Sequence, residues 1–151
     1  RAVFLGAYSA SEANDNPLGQ RDDGEGYRKA IEGALCVAKT HKNNVKLIKT
    51  HGTGTPVNNV AEKTALLGMF DDFVATSYKQ QIGHTMGASG LLETGLLLDD
   101  IQDGFIPAIP NRTTEDSVFL SDPAPAESGA FLSLAAGMGN IYSAALFSTD
   151  V

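Results

Sequence analysis

The apolar positions of this chain change period as the chain proceeds, and that alternation restricts the fold more than any other feature. The run Ala2-Val3-Phe4-Leu5 opens a strand over Ala2 to Ser9 and suits a sheet covered on both faces. Ser11 to Gly26 is polar, rich in Gly, Asn and Asp, and reads as a loop. From Gly24 to His41 the residues Tyr27, Ile31, Ala34, Leu35 and Ala38 recur at helical spacing, and Asn43-Asn44 ends the helix. Val45 to Thr50 mixes apolar and basic residues as a short strand. Asn58 or Asn59 caps a second helix to Phe70, with Ala61, Ala65, Leu66 and Met69 inward. Phe73 to Thr76 is a third strand. A third helix runs from Met86 or Gly87 to Gly104, with Leu91, Leu92, Gly95, Leu96 and Leu98 forming a strongly apolar face. Pro107 to Glu127, with four prolines, predicts an irregular connection with an extended piece at Val118 to Leu120. Ala130 to Ala136 and Ile141 to Ser148 form a hairpin through Gly137-Met138-Gly139-Asn140.

The predicted order is βαβαβα followed by ββ: an α/β chain with right-handed crossovers and a five-stranded, mixed, mainly parallel sheet covered by helices. With 151 residues, residues 1–151 are expected to form one domain. Hydrophobic residues at 42% and charged residues at 19% exclude a disordered tail or fibrous repeat. No apolar run approaches the ~20 residues that cross a bilayer, and Arg1 to Glu12 has no signal-peptide pattern, so a cytoplasmic protein without a membrane partner is expected. The single Cys36 excludes an internal disulfide and a cysteine-based zinc site, and no metal is expected. A net charge of -7 argues against nucleic-acid binding.

Two clusters carry chemistry. His51-Gly52-Thr53-Gly54-Thr55-Pro56 follows the second strand, where open α/β sheets place their sites. Its glycines let backbone approach a ligand and His51 offers an imidazole; taken alone, it also reads as a glycine turn with a hydrogen-bonded histidine. Ser77 to Gly90 follows the third strand and brings Lys79 and His84 to the same sheet edge. A lysine near two imidazoles holds them neutral, leaving N–H groups for an oxyanion. Singly, Lys79 reads as a solvated charge and His84 as a core or capping group; their shared placement with His51 favours a site.

HGTGT at His51 to Thr55 and KQQIGHTMGASG at Lys79 to Gly90, with five residues from Lys79 to His84, resemble the C-terminal lobe of the β-ketoacyl synthases, condensing enzymes with a thiolase-like fold. The resemblance covers nearly the whole chain. It implies that His51 and His84 bind the carbonyl of a malonyl thioester and stabilise the enolate formed as carbon dioxide leaves, with Lys79 supporting their electrostatics. It further implies supporting roles for Thr53 and Thr55, and for Glu62 and Glu93 as acidic partners of the lysine and of the helix behind His84; solvated helix carboxylates remain open for both. No cofactor is implied for the chain itself. The substrates would be thioesters on the phosphopantetheine of an acyl carrier protein, and the partners that carrier, an N-terminal ketosynthase lobe and a second copy in a homodimer.

The chain departs from the family pattern in two respects. The family's nucleophilic cysteine lies in an N-terminal lobe that these residues do not include, so a piece of a longer protein, inactive alone, is expected. Cys36 is expected to be a small buried hydrophobe on the first helix. The closing turn reads Gly137-Met138-Gly139-Asn140-Ile141-Tyr142 instead of GFGGTN, with Met138 as a gate to the acyl pocket and Gly137 and Gly139 in the oxyanion turn. A non-catalytic ketosynthase-like partner or scaffold subunit is the alternative. A nucleotide-binding domain has only Gly52 and Gly54 in its favour. Lys39, Lys42, Lys46 and Lys49 form one basic patch that could meet an acidic carrier, or simply a solvated helix end.

Overall fold

A computed structural model of the chain describes residues 1–16, 19–110 and 119–150. Its elements are β1 (Val3–Ser11), α1 (Glu25–Val37), β2 (Val45–Lys49), α2 (Pro56–Met69), β3 (Val74–Thr76), α3 (Lys79–Ile82), α4 (Ser89–Gln102), β4 (Phe105–Ile106), β5 (Ala124–Pro125), β6 (Ala130–Gly137) and β7 (Ile141–Ser148). Five strands form one sheet in the order β1-β7-β6-β2-β3. β2 pairs in parallel with β3 and β6, while β7 is antiparallel to both β6 and β1. Four strands therefore run one way and β7 alone runs back, as the hairpin requires. The β4–β5 pair is a separate small ribbon.

Each buried strand divides its side chains between two layers. Ile48, Leu132, Leu134 and Leu146 pack with Tyr27, Ile31 and Leu66 of α1 and α2. Leu47 and Phe131 face the other way and pack with Leu97, Tyr78 and Ile106. At Gly26 in α1, any Cβ would fall inside the ring of Tyr142 on β7, so this close approach needs glycine.

Four local expectations differ from the structure. β1 is an edge strand with Val3, Phe4 and Tyr8 exposed, although its apolar run suits burial on both faces; Phe4 instead packs edge-on against Phe147 of β7. The second helix begins at Pro56 with Thr55 as cap, since proline suits the first helical position. That puts Asn58 inside α2 and buried, where Tyr27 Oη donates to its Oδ1 at 2.6 Å. α4 begins at Ser89, after a 3₁₀ turn over Met86–Ala88, and only part of its leucine cluster faces inward, Leu96 and Leu98 being half-buried against Leu47, Leu97 and Phe131. Leu91 is 84% exposed and Leu92 44%, while Ser89, Glu93, Thr94 and Leu97 point inward. In the connection, Val118 lies outside the described residues and Phe119 pairs with Ala75 of β3.

The inversion on α4 gives a direct test. Leu132→Ala, at a fully buried position, should lower unfolding free energy by about 2–5 kcal/mol. Leu91→Ala should leave it within about 0.5 kcal/mol. Urea denaturation of both variants separates the two, and a large loss at Leu91 would contradict the packing.

Candidate active site

The carboxyl ends of β2 and β3 are zipped together beyond their last ladder pair. Thr50 donates its amide and its Oγ1 to the carbonyl of Thr76, at 2.9 and 3.0 Å. The two motifs therefore leave the sheet side by side. Gly52 sits in the left-handed region (φ 60°), and a Cβ there would collide with Ser77 Oγ. Its carbonyl accepts from Gln80 Nε2 at 3.0 Å and from Ser77 Oγ at 3.3 Å, tying the first motif to the second.

Glu62 of α2 holds the turn from beneath. Its carboxylate accepts from the amides of His51 and Gly52 and from Asn58 Nδ2. The expectation that Glu62 supports Lys79 is thereby corrected: its hydrogen bonds go to the backbone that carries His51. Burial raises its pKa, opposed by those three donors.

Glu93 is the acidic partner of the lysine. One oxygen accepts from Lys79 Nζ at 2.6 Å and from Ser89 Oγ, and the other from Lys49 Nζ at 2.9 Å. Burial by itself would raise the Glu93 pKa, but Lys49, Lys79 and Ser89 hold it below its ordinary value. Lys49 was expected on the surface with the basic patch, yet it has no exposed area. The doublet Leu47-Ile48 breaks the strand's apolar–basic pattern and turns Lys49 to the face opposite Lys46, a signal legible in the sequence. The rest of the patch is also dispersed, since Lys46 pairs with Asp72 and Lys42 donates to the carbonyl of Met69.

His51 and His84 meet edge-on, ring centroids 5.6 Å apart and 78° between planes. His51 is 5% exposed, and its Nδ1 is buried without a hydrogen-bond partner. Burial, then Lys79, Lys49 and His84, push its pKa down to about 3, so the ring is neutral at physiological pH. His84 is exposed, and its Nδ1 accepts from the Met86 amide at 3.1 Å. A neutral ring that accepts at Nδ1 carries its proton on Nε2, leaving that N–H as a donor. Met86 adopts φ 54° to make this turn, a conformation that is costly outside glycine and recurs at functional sites.

Both histidines line one cleft of about 530 Å³. Thr53 and Thr55 border it, their hydroxyls 3.2 Å apart, and Gly137 and Met138 of the β6–β7 turn close the far side. Met138 is 70% exposed. Gly139 and Asn140 take left-handed conformations in that turn, and Asn140 Nδ2 donates to the carbonyl of Asn14. Cys36 is not in the cleft. It lies exposed on the last turn of α1, which corrects the expectation of a buried hydrophobe. No group of three or more His, Cys, Asp or Glu able to hold a metal exists among the described residues.

Residues 1–113 match the family described as Beta-ketoacyl synthase, C-terminal domain. The chain belongs to the β-ketoacyl synthase C-terminal domain family. The tetracenomycin polyketide synthase ketoacyl synthase alpha subunit of Streptomyces glaucescens is 31% identical over 137 residues, covering 85% of this chain and 32% of that protein. The 3-oxoacyl-[acyl-carrier-protein] synthase 2 of Synechocystis is 32% identical over 114 residues, covering 73% of this chain and 27% of its own length. The chain thus spans a third or less of the length of the curated relatives it matches. Among solved structures, a type II polyketide acyl-carrier protein in complex with its ketosynthase bound to a hexaketide aligns over 97% of this chain and 38% of that one, with a TM-score of 0.87 at 22% identity. The fold is accordingly the thiolase-like one of the ketosynthases.

The depressed His51 pKa has a consequence for stability. Between pH 6.5 and about 3 the unfolded chain binds a proton at this ring that the folded chain does not. His51 therefore contributes stability that is fully present above pH 6.5 and lost as pH falls below it, by up to ~1.4 kcal/mol per pH unit. Urea midpoints at pH 7, 6 and 5 should decline more steeply for the parent chain than for His51→Asn. Parallel declines would contradict a buried, neutral His51.

Proposed function

We propose that this chain supplies the decarboxylation half of a β-ketoacyl-[acyl-carrier-protein] synthase site, used in decarboxylative Claisen condensation in fatty-acid or polyketide synthesis. The observation that carries this reading is the pair of imidazoles in one cleft, with the buried Lys49–Glu93–Lys79 cluster behind His51.

The chemistry asked of such a site is placement of charge. When a malonyl thioester loses carbon dioxide, the bond from its α-carbon to the carboxylate breaks and the electron pair passes to the thioester oxygen as an enolate. Neutral imidazole N–H groups at His51 and His84 donate to that oxygen, and the donation strengthens as the charge grows. The enolate carbon then attacks the carbonyl carbon of an acyl thioester, the malonyl-derived carbonyl re-forms, and the acyl C–S bond breaks with its sulfur leaving as thiolate. That acyl group would sit on a cysteine outside this chain. Lys79 is a positioning group in this scheme: its ammonium is spent on Glu93, and its field reaches the substrate through His51. Thr53 and Thr55 border the cleft, Met138 is the gate and Gly137 stands beside it in the wall, while Gly139 shapes the turn without lining the cleft. The acyl carrier protein, with substrate on its phosphopantetheine, an N-terminal ketosynthase lobe and a second copy in a homodimer are the proposed partners; the names of the relatives support the carrier.

The β6–β7 turn favours a second reading. Its departure from GFGGTN fits a non-catalytic ketosynthase-like partner that shapes the pocket without condensing.

Two measurements decide between these. In the complete synthase, His51→Ala or His84→Ala should each lower malonyl-thioester decarboxylation by about 10²-fold or more, the scale of one lost oxyanion donor. Decarboxylation at the parent rate in both variants would leave the scaffold reading standing. The isolated chain, incubated with an acyl thioester, should show no stoichiometric mass increase at Cys36, because that thiol lies outside the cleft that holds the imidazoles.

A further inference from the structure

Lys49 is a buried ion that the reaction scheme leaves unused. It ends β2 on the α4 side of the sheet, is fully buried, and places Nζ 2.9 Å from Oε2 of Glu93, while Lys79 Nζ lies 2.6 Å from Oε1. Two buried ammonium groups thus share one carboxylate. Such an arrangement is expensive, since each ion loses its hydration and the two cations repel. Glu93 does not need Lys49, because Lys79 and Ser89 already donate to it. A packed apolar side chain would fill the same space at lower cost.

The excess positive charge has a direction. The groups acting on His51 are Lys49 of its own strand exit, Lys79 from α3, Glu93 from α4, His84 across the cleft, and Glu62 from α2 at its backbone amide. At the ring the two ammonium groups outweigh Glu93. Burial, with Lys79 beside it, lowers the Lys49 pKa from the ordinary lysine value, and the ion pair with Glu93 opposes that shift.

We propose that Lys49 is a positioning residue of the site: as the second ammonium on Glu93 it maintains a positive field behind His51 that keeps the ring neutral and favours an anion in the cleft. The inference about the ring rests on geometry of this chain; its use in decarboxylation rests on the function proposed above.

The test uses ¹⁵N–¹H spectra of the histidine side chains of this chain, followed as pH is lowered. In Lys49→Met the apparent pKa of His51 should rise by about one pH unit or more, roughly tenfold more imidazolium at a given acidic pH. Lys49→Arg, which keeps the charge, should retain the parent titration. An unchanged His51 titration in folded Lys49→Met overturns the proposal; where Met at this site does not fold, Lys49→Gln is read by the same criterion. In the complete synthase, the acid limb of the decarboxylation profile should move with the titration. A limb that stays put while His51 shifts overturns the role in the reaction. A parent synthase that decarboxylates nothing counts against the proposed function alone, and the titration still decides Lys49.

Discussion

The carboxylate of Glu93 is the point on which the site depends. It is fully buried and joins three elements, accepting from Lys49 at the end of β2, Lys79 of α3 and Ser89 at the start of α4. Remove it and two ammonium groups lie together without a counter-ion, a far worse state than solvating them. The carboxylate therefore fixes both lysines, and the helix that carries it fixes their distance from the sheet. Thr94, one residue on, shares a 2.7 Å hydrogen bond with Ser133 of β6 and anchors that helix against the strand. The cluster and this hydrogen bond thus tie the sheet, α3 and α4 to one another.

A second carboxylate performs a different task with the same chemistry. Glu62 spends its charge on two backbone amides and on Asn58, and Asn58 in turn accepts from Tyr27 of α1. The path from α1 through α2 to the His51 backbone is thus continuous and buried. One glutamate sets where His51 begins and the other sets the field in which its ring sits. Neither touches the imidazole, which is why their roles are hard to infer from distance to the cleft.

The alternation of periods made most of the fold legible: the strands at Val45 and Val74 and the hairpin from Ala130 fall where periodicity puts them. Edge status was not legible, because the apolar run at Val3 looks the same whether one or both faces are covered. The face of α4 is only partly legible for a related reason. Leucine spacing identifies an apolar stripe but says nothing about whether the fold buries that stripe or its polar neighbour, and here Ser89, Glu93 and Thr94 go inward. At the site, the two motifs supplied His51, Lys79 and His84 directly. Lys49 was hidden by its resemblance to surface lysines nearby, although the break in strand alternation marked it. Asn58 has the residue type of a cap, but Pro56 occupies the first helical position and leaves Asn58 inside the helix.

The energetics of α4 show what this sequence is organised to keep. A helix of this leucine content gains most by burying leucine, at about 1.5–3 kcal/mol for each fully covered side chain. This one leaves Leu91 84% exposed and buries an ionised glutamate. Buried ion clusters of this kind contribute little to stability, and apolar replacements of equal volume often improve it. The role proposed for these ions at the cleft would account for an arrangement that stability alone does not favour. Water around the His51 ring would screen the lysines and let that ring protonate; its burial and the paired ammonium groups together oppose this. A ring kept neutral in this way needs no rearrangement when negative charge appears beside it, because the donors and the field are already in place before the charge develops.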